Sequence, residues 1–381
     1  MTAAAIVSGC GGGSGSDDTE KAGPAPSTAP STGGPASPAL TGPLGPASPA
    51  PTGPLGPEVP ATLTGAPNDP LFAKQWHLQA VGVPEAWAVA TGKDVTVALL
   101  DTGVAYEDNG DYRRAPDLAG TRFVAGWDFV DDDEHPNDEP VPGRPSHGTH
   151  MAGSIAQTTG NGLGGAGVAP GAAIMPIRVL SPDGGGTNEN IAAGLRFAAD
   201  HGADVANLSL GSREPSPVVD EAVRYALGNG VTVISSVGED SGPAATYPAA
   251  YPGVISVGAV RLDKTLAPYS SYGPRLDVVA PGGQRSSDQN GDGLEDGIIQ
   301  QALQDQMNSF CFCFIEGTSS AAAHVSGAAA LVIASGRAET PTEVREVLMS
   351  TADDLGQPGR DDTYGAGLIN AARAVGAPTA R

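Results

Sequence analysis

The sequence predicts an α/β protein with three layers, in which a central, mostly parallel sheet lies between helices. Two observations predict this fold class. Short runs that are apolar at nearly every position recur along the chain, as is typical of strands buried on both faces. They lie at residues 95–100, 173–180, 204–210, 231–237 and 254–260. Helical segments alternate with these strands, which indicates parallel crossovers with helices on both faces. They are expected at residues 148–156, 188–201, 217–228, 320–335 and 341–350.

The 381 residues divide by composition into three parts. Residues 1–20 combine a short apolar start with a polar tether. Residues 21–64 are rich in Pro, Ala and Gly, and a related decapeptide starts at Ser37 and again at Ser48. This composition predicts an extended, disordered linker. Residues 65–381 are then expected to form one globular domain, whose size suits a single α/β enzyme.

The start of the chain carries one further pattern. Val7-Ser8-Gly9-Cys10 resembles the lipobox of bacterial lipoproteins, in which the cysteine is lipidated. The apolar run before it is shorter than a full signal and has no basic residues. The segment is either a lipoprotein signal remnant or a chance match. In the first case, Cys10 would tether the protein to a membrane, so we expect an extracellular or cell-envelope location.

Charge and cysteine content exclude several classes of protein. The formal net charge of −23 opposes binding to nucleic acid and to anionic lipid. We expect a monomer.

The three cysteines cannot form a disulfide framework. Cys311 and Cys313 alternate with phenylalanines, so on a strand both thiols would face one side. Buried free thiols are favoured over a strained local pair.

Three polar residues are candidates for catalysis. Asp101 ends the first buried strand, and catalysis in open α/β sheets gathers at such strand ends. His147 lies in a glycine turn that opens a helix, and Ser319 lies in another. Singly, each would be an ordinary turn or cap residue. Together they are the groups that activate a serine: an imidazole takes the hydroxyl proton, and a carboxylate orients that imidazole.

The segments around these residues, Asp101-Thr-Gly, His147-Gly-Thr-His and Gly-Thr-Ser319, closely resemble the signatures of the subtilisin-like serine peptidases, or subtilases. The resemblance spans roughly residues 67–375 and includes further segments in the same order, at residues 167–171, 202–211, 247–252, 269–273 and 279–282. It implies the subtilisin-like fold and hydrolysis of polypeptides without an organic cofactor. Asp101 would orient His147, His147 would act as general base and then acid, and Ser319 would attack the scissile carbonyl.

The same resemblance implies where the substrate binds. Two segments would pair with the substrate as an added strand and wall its main side-chain pocket. They are Ser209-Leu210-Gly211 and Ser236-Val237-Gly238.

Glu239 departs from the family pattern. Relatives place an asparagine here, whose amide donates to the oxyanion. An ionised carboxylate is acceptor-only and would repel the developing charge. Either Glu239 is protonated and donates as a neutral acid, or it turns to solvent and a water donates instead. We therefore expect a slowed or acid-shifted enzyme.

An acidic insertion predicts a calcium site. Oxygen ligands at alternate positions, with glycines between them, suit Ca²⁺. The candidate ligands are Asp288, Asn290, Asp292 and Asp296; the alternative is a solvated acidic turn. A second acidic cluster, at residues 131–133 with Asp138 and Glu139, is interpreted as a solvated loop with weak calcium binding.

Three functions remain open from the sequence. The first is a secreted or surface-tethered serine endopeptidase. The second is a calcium-stabilised, subtilase-shaped protein that binds peptides but has lost turnover through Glu239. The third is a calcium-dependent adhesion module with a vestigial triad. The presence of Asp101, His147 and Ser319 together favours the endopeptidase.

Overall fold

The computed structural model describes residues 59–378. Cys10, residues 1–20 and residues 21–58 of the predicted linker lie outside the described residues. Ordered contacts begin at the end of the linker, where the Thr91 hydroxyl donates to the Pro60 carbonyl at 2.7 Å and the Leu63 N–H donates to the Trp87 carbonyl at 2.8 Å. Within residues 59–378, no helix is both long and apolar enough to cross a membrane.

Eight parallel strands form the central sheet, which confirms the predicted fold class. The strands are β1 (Thr96–Asp101), β2 (Arg122–Phe123), β3 (Trp127–Asp128), β4 (Ala173–Arg178), β5 (Val205–Leu208), β6 (Thr232–Ser236), β7 (Ile255–Val260) and β8 (Val278–Pro281). Their order is β2-β4-β1-β5-β6-β7-β8, and β3 also pairs with β4. The predicted strands match β1, β4, β5, β6 and β7 to within a few residues at each end.

The helices lie on both faces of this sheet. They are α1 (Trp76–Ala80), α2 (Val83–Ala86), α3 (His147–Ala156), α4 (Asn188–Asp200), α5 (Pro217–Gly228), α6 (Thr318–Ala334), α7 (Pro341–Ser350) and α8 (Ala371–Ala374). Side chains that alternate along β1 show the two faces. Val97 and Leu99 join the core that contains α3 and α6, whereas Ala98 and Leu100 join the core that contains α4 and α5.

A two-stranded antiparallel hairpin follows the sheet. It consists of β9 (Ile298–Gln304) and β10 (Gln306–Ile315), and β10 ends three residues before α6 begins. The hairpin packs on the start of α3, where the Ser146 N–H donates to the Leu303 carbonyl at 2.8 Å and the Leu303 N–H donates to the Ser146 hydroxyl at 2.9 Å. One hairpin therefore contacts the segment before His147 and leads into the segment that carries Ser319.

The expectation of buried free thiols is wrong. Cys311 and Cys313 form a disulfide within β10, with their Cα atoms 5.4 Å apart, and both residues are half-buried. Residues i and i+2 of a strand point to the same side, which brings the two sulfur atoms together at a Cα separation that suits a disulfide.

Candidate active site

The three candidate catalytic residues lie at the carboxyl edge of the central sheet. Asp101 is the last residue of β1, His147 is the first residue of α3, and Ser319 is the second residue of α6. All three are buried, with Ser319 and His147 retaining 6% and 8% exposure. Parallel strands bring their carboxyl ends to one edge, so segments that lie far apart in sequence converge there.

Asp101 and His147 form a buried hydrogen bond. The His147 Nδ1 atom lies 2.7 Å from Asp101 Oδ1, which also accepts the Thr102 N–H at 2.7 Å. Burial opposes the charged form of the imidazole, but the charge and hydrogen bond of Asp101 outweigh it and raise the pKa of His147. The arrangement fixes the ring and favours a proton on it.

Ser319 lies in the first turn of α6. The first N–H groups of a helix have no partner inside it, so this turn presents donors to a negative charge. The Ser319 hydroxyl donates to the Ser209 carbonyl at 3.2 Å, and no hydrogen bond joins it to His147 within the described part of the chain. The structure thus places the hydroxyl at the site but turned toward β5.

Glu239 contacts the turn that presents Ser319. Its Oε1 atom accepts the Thr318 N–H at 2.9 Å, and the Thr318 hydroxyl lies 3.4 Å away. A Cβ atom at Gly317 would lie 2.7 Å from the same oxygen, so any larger residue there would displace the end of the Glu239 side chain. Burial raises the pKa of Glu239 to about 7, against the hydrogen bond from Thr318 and the nearby His147. The carboxyl is therefore protonated in a large share of molecules near neutral pH.

The two predicted substrate segments lie side by side, because β5 and β6 are neighbours in the sheet. The Ser209 hydroxyl donates to the Ser319 carbonyl at 3.0 Å, which joins the first segment to the start of α6. Thr246 packs against both Gly211 and Gly238 and donates its N–H to the Val237 carbonyl at 2.9 Å. Ser236 and Val237 are buried, so this segment offers its backbone rather than these side chains.

A pocket opens beside the first segment. Leu210 and Gly211 form one wall of it. Tyr247 and Tyr251, whose ring centroids lie 4.8 Å apart, form another. A lining of this kind suits an apolar or aromatic side chain.

Two residues of this region were missed by sequence reasoning. Asn207 interrupts the apolar run of β5; its amide donates to the Ser209 hydroxyl at 3.0 Å, and its oxygen accepts the Ser326 hydroxyl at 2.8 Å. A polar residue inside a buried strand was the signal that could have identified it. Asp138 is the other, because it is only 2% exposed and is hydrogen-bonded beside Asp101 and His147.

The interpretation of the second acidic cluster as a solvated loop holds for the exposed residues 131–133 but is wrong for Asp138, which is buried, and for Glu139, which is half-buried. Arg178, at the end of β4, is buried and pairs with Asp128 at 2.9 Å, Asp131 at 2.8 Å and Glu139 at 3.1 Å. A buried guanidinium requires such partners, since an unpaired charge is costly there. These carboxylates balance the buried positive charge of Arg178.

The four candidate calcium ligands do not converge on one point. Asp288, Asn290 and Asp292 are exposed and share a turn, in which the Asp292 N–H lies 3.1 Å from Asp288 Oδ1 and 3.0 Å from Asn290 Oδ1. Asp296 is buried, and its Oδ2 atom accepts the Ser287 hydroxyl and the Gln289 N–H, each at 2.7 Å. Across residues 59–378, no three His, Cys, Asp or Glu side chains are placed to hold a metal ion.

The sequence and fold of this chain are similar to those of known proteins. A family model described as "Subtilase family" matches residues 92–367. Thermitase from Thermoactinomyces vulgaris is 36% identical over 311 residues, which cover 81% of this chain and 99% of thermitase. Subtilisin BL from Lederbergia lenta is 35% identical over 301 residues, which cover 79% of this chain and 98% of that protein.

A third relative and a solved structure agree with these matches. The halolysin-like extracellular serine protease Nep of Natrialba magadii is 34% identical over 310 residues, covering 81% of this chain and 52% of Nep. A solved structure of a protease from Pseudoalteromonas arctica superposes with a TM-score of 0.70 at 33% identity, covering 82% of this chain and 99% of that one.

Proposed function

This chain belongs to the subtilase family of serine peptidases, and we propose that it is an endopeptidase that cleaves polypeptides through Asp101, His147 and Ser319. The observation that carries the proposal is the buried 2.7 Å hydrogen bond between Asp101 and His147 at the sheet edge where Ser319 opens α6. Any two of these residues could meet by chance in a core. All three at one edge form the set that serine activation requires.

The proposed reaction begins when the Ser319 hydroxyl turns from the Ser209 carbonyl toward His147. As Ser319 Oγ attacks the scissile carbonyl carbon, its proton passes to His147 Nε2, and Asp101 stabilises the resulting imidazolium. The carbonyl oxygen becomes an oxyanion near the first N–H groups of α6. His147 then protonates the leaving amine. Water then attacks the acyl carbon while His147 takes one of its protons, and His147 returns that proton to Ser319 Oγ as the bond to the acyl group breaks.

Glu239 sets the rate of this reaction in the proposal. Protonated, it donates to the oxyanion; ionised, it repels the charge that Ser319 creates. The loss of one oxyanion donor costs roughly 10²–10³ in rate in a subtilisin, so an ionised Glu239 slows the enzyme severely. His147 must be neutral to act while Glu239 must be protonated. Both pKa values are raised, that of Glu239 to about 7. Activity is therefore confined to a narrow range of pH near neutrality.

We propose that the substrate pairs as an added, extended strand with Ser209-Leu210-Gly211 and Ser236-Val237-Gly238, which wall its main side-chain pocket. The positions of both segments beside Ser319 support this, as does the pocket walled by Leu210 and Gly211. An apolar side chain of the substrate would enter that pocket and hold the strand in register.

The remaining proposals concern environment. We propose that Asp288, Asn290 and Asp292 bind Ca²⁺, since hard oxygen donors share one exposed turn; Asp296, engaged with Ser287 and Gln289, is not in this reduced ligand set. An extracellular location is supported by the similarity to Nep, an extracellular serine protease. A tether through Cys10, and a monomeric state, remain proposals.

A catalytically impaired peptide-binding protein is the second candidate. The position of the Glu239 carboxyl, 2.9 Å from the Thr318 N–H beside the nucleophile, favours it. In that case the substrate strand binds, but the oxyanion is too unstable for turnover.

A fluorophosphonate probe and a peptide substrate separate the two functions. The probe is expected to label the wild type and to lose labelling in Ser319→Ala, while Ser320→Ala, a buried neighbour, keeps it. Labelling without peptide cleavage between pH 5 and 9 would favour the binding protein. A wild type that resists the probe throughout this range would overturn the proposed triad.

A further inference from the structure

We propose that Asp138 is a positioning residue of this active site, which ties the strand end carrying Asp101 to the helix start carrying His147 and stabilises the protonated His147 ring by its charge. The inference rests on the roles proposed above for Asp101 and His147. It adds a second buried carboxylate to their surroundings.

Asp138 bonds to both segments at once. Its Oδ1 atom accepts the hydroxyl of Thr102, the residue after Asp101, at 2.9 Å. Its Oδ2 atom accepts the N–H and the hydroxyl of Thr149, two residues after His147, at 2.8 Å and 2.7 Å. A single side chain thus fixes the distance between the end of β1 and the first turn of α3.

Thr102 extends the same connection. Its hydroxyl donates to Asp138 and accepts the N–H of Gly148, the residue after His147, at 3.0 Å. The backbones are also in close contact, because a Cβ atom at Gly103 would overlap the Asn137 carbonyl. The segment around Asp138 therefore cannot move independently of the segments that it joins.

The three donors around Asp138 suit its ionised form. A carboxylate only accepts hydrogen bonds, and two hydroxyls and one N–H all point to it. Burial raises the pKa of Asp138, while the bonds from Thr149 and Thr102 lower it. The charges that act on the His147 ring are those of Asp101, Asp138 and Glu239, all of which favour the imidazolium against the burial that opposes it.

Asp138 has no contact with the reacting atoms in this mechanism. When Ser319 gives its proton to His147, the positive ring forms close to two buried carboxylates rather than one. Removing the charge of Asp138 should weaken the base and loosen its orientation, while the surfaces that hold the substrate stay as they are.

The test is the substitution Asp138→Asn in the full-length protein. The amide keeps the size of the side chain but directs an N–H group at one of the donors. We expect kcat to fall roughly 10- to 100-fold, with KM little changed. This is the loss seen when the hydrogen-bond partner that orients a metal-ligating side chain is removed. Asp204→Asn is the control, because Asp204 accepts the Thr96 N–H at the opposite end of β1.

A second readout does not depend on turnover. In a Ser319→Ala background, the titration of the His147 ring followed by NMR should move to lower pH in Asp138→Asn and stay in place in Asp204→Asn. This measurement stands even if the wild type has no peptidase activity, so failure of the proposed function and failure of this inference are distinguishable. An unmoved titration in Asp138→Asn would overturn the inference.

A further pair of variants covers the case in which Asp138→Asn does not fold. Thr102→Ser keeps the hydroxyl that joins Asp138 to Gly148, and Thr102→Val removes it. In the Ser319→Ala background, the Val variant should broaden the His147 ring signals or shift their titration, and the Ser variant should behave as the parent. Equal behaviour of the two variants would contradict the positioning role.

Discussion

At the scale of single residues, the proposed mechanism depends on two groups with opposing demands. His147 must lose its proton to act as a base, yet Asp101 and its neighbours raise its pKa. Glu239 must keep its proton to donate to the oxyanion, and burial raises its pKa to about 7. The two requirements are met together only at pH values where some molecules have a neutral His147 and a protonated Glu239. The family's usual asparagine would remove one of the two requirements.

Replacement of Glu239 by asparagine tests this conflict. We expect Glu239→Asn to raise kcat above pH 7 by about tenfold or more, because a neutral amide donates where the carboxylate repels. The decline of kcat on the alkaline side of the pH profile should also begin at a higher pH. The measurement is kcat and KM on a peptide substrate from pH 5 to 9.

Two further variants check the cause. Glu239→Gln keeps the side-chain length and should share the gain in kcat. Asp240→Asn changes the half-buried neighbour that pairs with Arg213 and should leave the profile unchanged. No gain in kcat at pH 8 for either Glu239 variant would show that the carboxylate does not obstruct the oxyanion.

At the scale of elements, short loops and one hairpin position the catalytic groups. The β9–β10 hairpin contacts Ser146 on one side and continues into the Ser319 turn on the other. The acidic turn precedes this hairpin, and the Trp76 indole donates to the Gly297 carbonyl at 3.2 Å. An ion bound to the turn would therefore stabilise the entry to the hairpin.

Calcium should raise the thermal stability of this element. Saturating Ca²⁺ is expected to raise the unfolding midpoint, since a ligand at 100 times its Kd stabilises the folded state by about 2.7 kcal/mol. The double variant Asp288→Asn with Asp292→Asn should lose the shift. Asp183→Asn, in an exposed turn elsewhere, should retain it. A midpoint that is the same with calcium and with chelator would remove the calcium proposal.

At the scale of the whole molecule, three buried histidines join helices to one another and to the β9–β10 hairpin. His77 of α1 and His324 of α6 are hydrogen-bonded at 2.7 Å, and His150 of α3 bonds through Nε2 to the Ile298 and Cys313 carbonyls at 3.0 Å and 3.1 Å. His77 Nε2 and His150 Nδ1 are buried without a partner in the described part of the chain. Burial lowers the pKa of His150 to about 3 and that of His324 to about 4, so all three rings stay neutral.

This cluster should limit stability in acid. Below about pH 6.5 the unfolded chain protonates its histidines while the folded protein does not, so stability falls as pH falls from there toward 4. Each ring contributes a slope of up to about 1.4 kcal/mol per pH unit. His77→Gln should flatten the dependence of unfolding free energy on pH, whereas His201→Gln, outside the cluster, should not. Equal slopes for wild type and His77→Gln would refute this.

The sequence predicted the three layers, the main helices and the convergence of Asp101, His147 and Ser319 because these depend on local information. Apolar periodicity marks buried strands and helices, and glycine turns mark the residues that they present. Parallel topology then brings strand ends to one edge. The resemblance to subtilases placed these residues in a known reaction, and the family comparisons support the peptidase assignment.

Long-range contacts settled what local patterns could not. Asp138 looked like part of a solvated loop until the fold placed it between Thr102 and Thr149, and its neighbours proved to compensate Arg178. The physical reason is the same in each case. The state of a polar side chain is set by its burial and partners, and those come from segments that sequence spacing does not relate.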